Sequence, residues 1–346
     1  MKLGILPGGF GKKASINMDL VRRAEELGFD SAWTAEAYGN DAVTSATWML
    51  AGTTKLKVGT AIMQMPARTP AMTAMTAMSL DHLSGGRFIL GIGASGPQVA
   101  EGWHGVPYGK PLTRTREYIE IIRKILAREE KLEHHGTHYD IPVTGAGTTG
   151  LGKPLKSILH GDPQLPIYTA SISPNGLRCS AEVADGVFPL WMNPERFDVI
   201  QTHLDEGFRK AGNGKSLENF AVCPTVSVII SDDVEQARMP VKMNLALYIG
   251  GMGARDKNFY NDYAKRLGYE EAAVKIQDAF LAGDRGAAVA AVPDALVDDL
   301  SLIGTRDEIR ERLGAWKDAG AKRHVDSMLI GAGQPEALEF LAEELL

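Results

Sequence analysis

The sequence predicts an α/β fold, a closed (β/α)8 TIM barrel carrying insertions. Three observations lead there. Short apolar runs alternate with amphipathic stretches along most of the chain. The runs are apolar throughout rather than alternating, as strands buried on both faces require. Eight strand-helix pairs also fit a length of 346 residues, within the range of barrels that fold as one domain. A doubly wound sheet with an added helical domain is the alternative.

The elements follow in order. Lys2–Leu6 reads as a strand ended by Pro7-Gly8-Gly9. Ile16–Leu27 reads as a helix, because Leu20, Val21, Ala24 and Leu27 share a face and Gly28 stops it. Ser31–Thr34 is a second strand, and Asp41 starts the next helix. Leu56–Met63 is a third strand, followed by a helix from Pro70 to Leu83 that Ser84-Gly85-Gly86 closes. Phe88–Ile92 is a fourth strand, and Leu112–Arg128 a strong helix with Ile119, Ile122, Ile125 and Leu126 inward.

The pattern then lapses. Residues 130–163 are polar and Gly-rich and read as an insertion. Alternation resumes with strands at Leu165–Thr169, Gly186–Leu190 and Ala221–Ile230, and helices at Pro174–Ala184 and Pro194–Ala211. Residues 232–300 read as a helical excursion broken at Gly250-Gly251 and Gly253. Thr305 and Glu308 make a capping box for the helix Arg306–Ala319. Val325–Ile330 is the last strand and Pro335–Leu346 the last helix. The reading is therefore one domain, 1–346, with those two departures.

A barrel places function at the strand C-terminal ends. Here these are Pro7–Phe10, Thr34–Asp41, Ala61–Pro66, Gly93–Pro97, Thr169–Asn175, Pro189–Asn193, Val228–Ser231 and Leu329–Gly333.

Composition excludes several classes. Hydrophobic and charged shares of 44% and 23% are those of an ordinary globular chain. The net charge is −6 with basic and acidic residues interspersed, so no nucleic-acid footprint is expected. No run reaches the roughly 18 apolar residues of a membrane span. The N-terminal apolar run stops too early for a signal peptide, and a cytoplasmic protein is expected. Cys179 and Cys223 read as buried hydrophobes rather than a disulfide.

Gly91–Gly96, GIGASG, has the G-x-G-x-x-G spacing of a dinucleotide fingerprint. Its context does not fit. It follows the fourth strand, Pro97 comes next, and the acid at the expected spacing, Glu117, lies inside a helix. The glycines read instead as a bare strand exit against which a flat ring can lie. Neither a G-x-S-x-G elbow nor a Walker loop is present.

Four stretches carry a family resemblance: GFDSAWTAEAYGNDA (28–42), LKVGTAIMQMPARTPAMTAMTAMSLDHLSGGRFILGIGASGPQVAEGWHG (56–105), YTASISPNG with AEVADGVFP (168–189), and IGTRDEIRERLGAWKDAGA (303–321). With them the chain resembles the bacterial luciferase-like superfamily of flavin and deazaflavin oxidoreductases, most closely its coenzyme F420 branch. The resemblance implies a hydride transfer between F420 and a small organic substrate, with the ring across the strand ends. It implies a backbone distortion, often a cis peptide, at Ala61-Ile62 with Met63 beside it, and a cradle at Gly93, Ala94, Ser95 and Gly96. It places the cofactor phosphate at Ala170, Ser171, Ile172 and Ser173. Small residues, two hydroxyls and a helix start at Pro174 suit an anion there independently.

The branch often carries an acid and then a histidine at the strand-two end. Here the acid is Glu36, but Ala37 takes the histidine's place. An acid found in some relatives' first loop is replaced by Pro7-Gly8-Gly9. Glu36 remains the expected polar ring-edge contact, and His104, in the aromatic loop 103–108, the candidate proton donor. By analogy a homodimer is expected. The alternatives are an FMN-dependent monooxygenase on the same barrel and a cofactor-free barrel serving as a binding subunit.

Three further features read as structural. Glu133–His138 reads as a hairpin with Gly136 at its turn, not a metal site, since zinc-like spacing is absent. Met72, Met75 and Met78 read as core, with Met63 and Met65 near the ring. Asp81 and Arg87 are expected to pair across their turn.

Overall fold

The computed structural model describes residues 1–8, 11–331 and 333–346. Gly9, Phe10 and Ala332, named above among the strand ends, lie outside the described residues. Nine parallel strands organise the chain: β1 Lys2–Ile5, β2 Ser31–Thr34, β3 Lys57–Thr60, β4 Phe88–Gly93, β5 Ile167–Ala170, β6 Gly186–Phe188, β7 Thr225–Ile230, β8 Ser301–Gly304 and β9 Ser327–Gly331. They pair in the order β6-β5-β4-β3-β2-β1-β9-β7-β8.

The circuit closes through the segment before β7. Ala221 and Val222 pair with Gly186 and Val187 of β6. The Val222 and Pro224 carbonyls then accept from Asp326 N and Leu329 N on the β9 side, both at 2.9 Å. The run 221–230, expected as one strand, is thus two pieces, because Pro224 has no N–H to give a ladder. Its second piece pairs with both β9 and β8. The eight expected strands make the barrel wall, and β8 is an additional strand outside it.

The interior is filled rather than open. Trp33 stacks on Tyr168 with centroids 6.0 Å apart and meets Phe188 edge-on at 5.1 Å. Leu6, Ala61 and Ile62 pack against this plug from the strand C-terminal side. A second apolar layer lies between strands and helices, with Leu3, Ile5, Val58, Leu90 and Ile92 among its fully covered members.

Local chemistry fixes the helices. Thr69 caps Pro70–Ser84 by accepting from Met72 N, and Gly85 ends it with φ +71°. Thr305 and Glu308 form the expected capping box. Cys179 and Cys223 are free and buried. The insertion contains the expected hairpin, His134–His135 against Asp140–Ile141. The excursion holds five helices: Val234–Gly251, Phe259–Arg266, Glu270–Leu281, Arg285–Ala290 and Asp294–Leu300. Among the described residues no helix is long and apolar enough to cross a membrane.

Two structural expectations need correction. Met78 is buried, but Met72 and Met75 are 52% and 53% exposed. A three-residue step advances only about 300° around a helix, so such a row drifts off one face. Arg87 does not pair with Asp81. It ties down the end of the helix Ala42–Ala51 and the loop after it instead, donating to the carbonyls of Leu50, Thr53 and Leu56.

Candidate functional site

The sequence-predicted residues lie on one rim, at the C-terminal ends of β2 to β5. The Ala61-Ile62 peptide between β3 and the short strand Met63–Gln64 is cis. It is stitched to the end of β2, with Ala61 N donating to Thr34 O at 2.6 Å and Glu36 N to Ile62 O at 3.2 Å. Met63 and Gln64 then pair with Ile92 and Gly93 of β4.

The glycines of GIGASG make room for this arrangement. A Cβ on Gly91 would sit 1.7 Å from the Thr60 carbonyl oxygen. A Cβ on Gly93 would meet Ile62 Cδ1 at 2.9 Å and lie 3.7 Å from the Ala170 Cβ. Ile62, Gly93 and Ala170 therefore form a continuous shelf across β3, β4 and β5. Beyond it Ser95 takes φ +59°, and Gly96 caps a short helix, Pro97–Gly102. No Rossmann-type long helix follows. Met63 is 1% exposed and Met65 2%, so both side chains belong to the core and only the Met63 backbone borders the rim.

Glu36 is a clamp. Its side chain is 5% exposed. Oε1 accepts from Gln64 N at 2.8 Å and Arg68 Nη1 at 2.6 Å, and Oε2 from Ala42 N at 3.0 Å. Arg68 also pairs with Asp41. Burial works against the Arg68 charge, but the bond to Glu36 and the charges of Glu36 and Asp41 together outweigh it and raise that guanidinium further. Gln64 extends the network. Its amide nitrogen donates to the Glu36 carbonyl and to Ser95 Oγ, and its oxygen lies 2.8 Å from His104 Nε2.

At the end of β5, Ser173 caps the helix Pro174–Val183 by accepting from Gly176 N at 3.2 Å. A Cβ on Gly176 would sit 2.8 Å from both the Ser171 and Ser173 hydroxyl oxygens. The glycine thus keeps open a small cradle of two hydroxyls at a helix N-terminus, the environment an anion favours.

Sequence reasoning missed several residues here. Gln64 falls inside the strand end 61–66 without being singled out, and Arg68 lies just past it. The excursion also reaches the rim. Arg266 Nη2 donates to Ile172 O at 2.6 Å, and the Tyr263 hydroxyl to Trp191 O at 2.9 Å. Trp191, Tyr248 and Tyr260 form an aromatic cluster with centroids 4.8–5.8 Å apart. Burial raises the Tyr248 phenol, and Tyr38 adds to it. Tyr38 itself stands 6.4 Å from Trp103. Only the contact from β5 to the excursion carries a sequence signal, the small-residue loop itself.

Among the described residues no group of three His, Cys, Asp or Glu side chains could hold a metal. A cavity of 520 Å³ opens at the opposite end of the barrel, lined by Lys2, Arg123, Asp185 and Asp326 among others. Its charges are already paired, Lys2 with Asp326, Arg123 with Asp185 and Arg323 with Glu218. It lies away from the strand ends that carry the rim.

Comparison with known proteins gives a consistent result. The profile of the family described as luciferase-like monooxygenase matches residues 7–323. A Mycobacterium tuberculosis protein named "Putative coenzyme F420-dependent oxidoreductase Rv3520c" is 43% identical, over 99% of this chain and 98% of its own. The 5,10-methylenetetrahydromethanopterin reductase of Archaeoglobus fulgidus is 30% identical over 94% of this chain and 93% of its own. The solved structure of the coenzyme F420-dependent tetrahydromethanopterin reductase from Methanopyrus kandleri superposes with a TM-score of 0.76 at 26% identity, covering 99% of this chain and 97% of that one. With its eight-stranded parallel wall and the rim built on it, the chain belongs to the luciferase-like monooxygenase family.

Proposed function

We propose that this chain is a coenzyme F420-dependent oxidoreductase that moves a hydride between the deazaflavin and a small organic substrate. The observation that carries the reading is the shelf of Ile62, Gly93 and Ala170 beside the hydroxyl cradle at Gly176. A flat ring needs the first and its phosphate arm the second. The relatives named for F420 match over nearly the whole chain and favour that cofactor over FMN. When bound, the deazaflavin supplies the hydride chemistry itself.

The chain's own residues then have distinct tasks. Ala61, Ile62 and the Met63 backbone support one ring face. Gly93, Ala94, Ser95 and Gly96 border its edge. Ala170, Ser171, Ile172 and Ser173 hold the phosphate, with the Ile172 carbonyl fixed by Arg266. Glu36 holds the rim together, since its oxygens already have three donors. His104 exchanges the substrate proton. Tyr38, Trp103, Trp191, Tyr248 and Tyr260 wall the substrate space and exclude water. We further propose a homodimer through the helices Ala42–Ala51 and Pro70–Ser84, whose outer faces expose Trp48, Met72 and Met75.

Titration of the purified protein with F420 and with FMN, followed by fluorescence, tests this. F420 binding supports it. FMN binding without F420 binding replaces it with the monooxygenase reading, and binding of neither with the cofactor-free barrel.

A further inference from the structure

Gln64 is a polar side chain only 2% exposed, and its amide joins three strand-end loops. Nε2 lies 3.4 Å from the Glu36 carbonyl oxygen and 3.3 Å from Ser95 Oγ. Oε1 lies 2.8 Å from His104 Nε2. A backbone carbonyl only accepts, so the amide nitrogen must face Glu36. The amide oxygen therefore faces His104, and it too only accepts. His104 Nε2 must carry the hydrogen, and in the neutral ring Nδ1 carries the lone pair.

We propose that Gln64 is a positioning residue that locks His104 in its Nε2–H form, so that Nδ1 is the atom exchanging a proton with substrate. This rests on the reading of His104 given above, and it suits a substrate with a polar C=O or C=N bond in its oxidised form. In the reducing direction, the hydride that reduced F420 supplies forms the new C–H bond with its electron pair. The π bond breaks toward oxygen or nitrogen, and that atom takes the proton from Nδ1–H of the charged ring. His104 is left neutral, still donating from Nε2 to Gln64, and regains its proton from water. Oxidation of the reduced substrate runs the same transfers backwards. The amide is neutral in both states, so it orients the ring without fixing its charge. The carboxylates nearby are already engaged: Glu36 and Asp41 with Arg68, and Glu101 with Tyr108 N.

The test uses the cofactor-free protein with 15N-labelled histidine, His104 being assigned with His104→Ala. At alkaline pH the wild-type ring is expected to show a protonated Nε2 and a bare Nδ1. A protonated Nδ1 overturns the proposal, and this readout requires no folded variant at Gln64. In Gln64→Glu a carboxylate faces Nε2, and the His104 titration midpoint should rise by about one pH unit or more. An unmoved midpoint overturns it. Turnover then separates the two readings. His104→Ala turnover with F420 within twofold of wild type overturns the proton role. Failure of F420 to bind overturns the cofactor reading while the tautomer result stands on its own.

Discussion

Glu36, at the end of β2, and Glu117, in the helix Pro111–Ala127, are both nearly closed to solvent, with side chains 5% and 10% exposed. Both gather a loop through backbone N–H groups. Glu36 takes Ala42 N and Gln64 N together with the Arg68 guanidinium. Glu117 takes Thr137 N, His138 N and Tyr139 N and no guanidinium. Its nearest cationic candidate is His134 Nε2 at 3.6 Å. The difference lies in what balances the charge. At the rim a permanent cation does so, which frees Gln64 to organise His104. In the hairpin three peptide dipoles do so, with His134 beside them, and the hairpin's attachment depends on Glu117 staying ionised. One carboxylate supports a site and the other fastens an insertion.

The largest effect is expected where a cation would be left behind. Glu36→Ala strands the half-buried Arg68 with only Asp41 and should cost about 3 kcal/mol in urea unfolding, the low end for a broken buried pair. It should abolish F420 binding as well, because Gln64 N loses its acceptor. Glu117→Gln should cost less, roughly 1–3 kcal/mol for weakened charge-assisted bonds. Its signature is faster amide exchange confined to residues 137–139, with F420 binding unchanged.

Acid sharpens the contrast. Burial favours the neutral form of Glu117, but the backbone bonds from His138, Thr137 and Tyr139 outweigh it and hold the carboxyl below its ordinary value of 4.5. A depressed folded value means the stabilisation is complete above pH 4.5 and lost as pH falls through the folded value. The stability gap between wild type and Glu117→Gln should therefore close below that pH, as exchange at residues 137–139 accelerates in wild type. The smallest stability effect, within about 0.5 kcal/mol, is expected on the exposed outer faces of two helices. Trp48→Glu with Met75→Glu should halve the mass seen by light scattering while leaving the protomer's unfolding almost unchanged.

Much of the wall was readable from sequence because each barrel strand is a short apolar run bracketed by turn residues. β8 escaped because the helix Asp294–Leu300 passes into Ser301 with no glycine or proline between them. Helix and strand there form one apolar stretch without punctuation. The rim was readable in outline, since Ala61-Ile62, the bare glycines and the serine loop all have local signatures. Gln64 and Arg68 have none. Their meaning depends on Glu36, 28 and 32 residues away, and only the β2-β3 pairing brings them together. The aromatic wall escaped for a similar reason: Tyr248 and Tyr260 sit on amphipathic helices, where buried aromatics ordinarily signal packing.

The pairing of β7 with β8 has a consequence for engineering. The helical excursion leaves the barrel at the top of β7 and returns at the foot of β8, its hydrogen-bonded neighbour. Its two ends are fixed roughly 5 Å apart sideways and roughly 10 Å apart along the strands. The first end continues a strand of the barrel wall, and the second enters β8, which lies outside it. The excursion is therefore a cassette with a standard socket, and it brings Tyr248, Tyr260 and Arg266 to the rim. Exchanging residues 231–300 between relatives offers a route to new side chains at the rim that leaves the shelf beneath them intact.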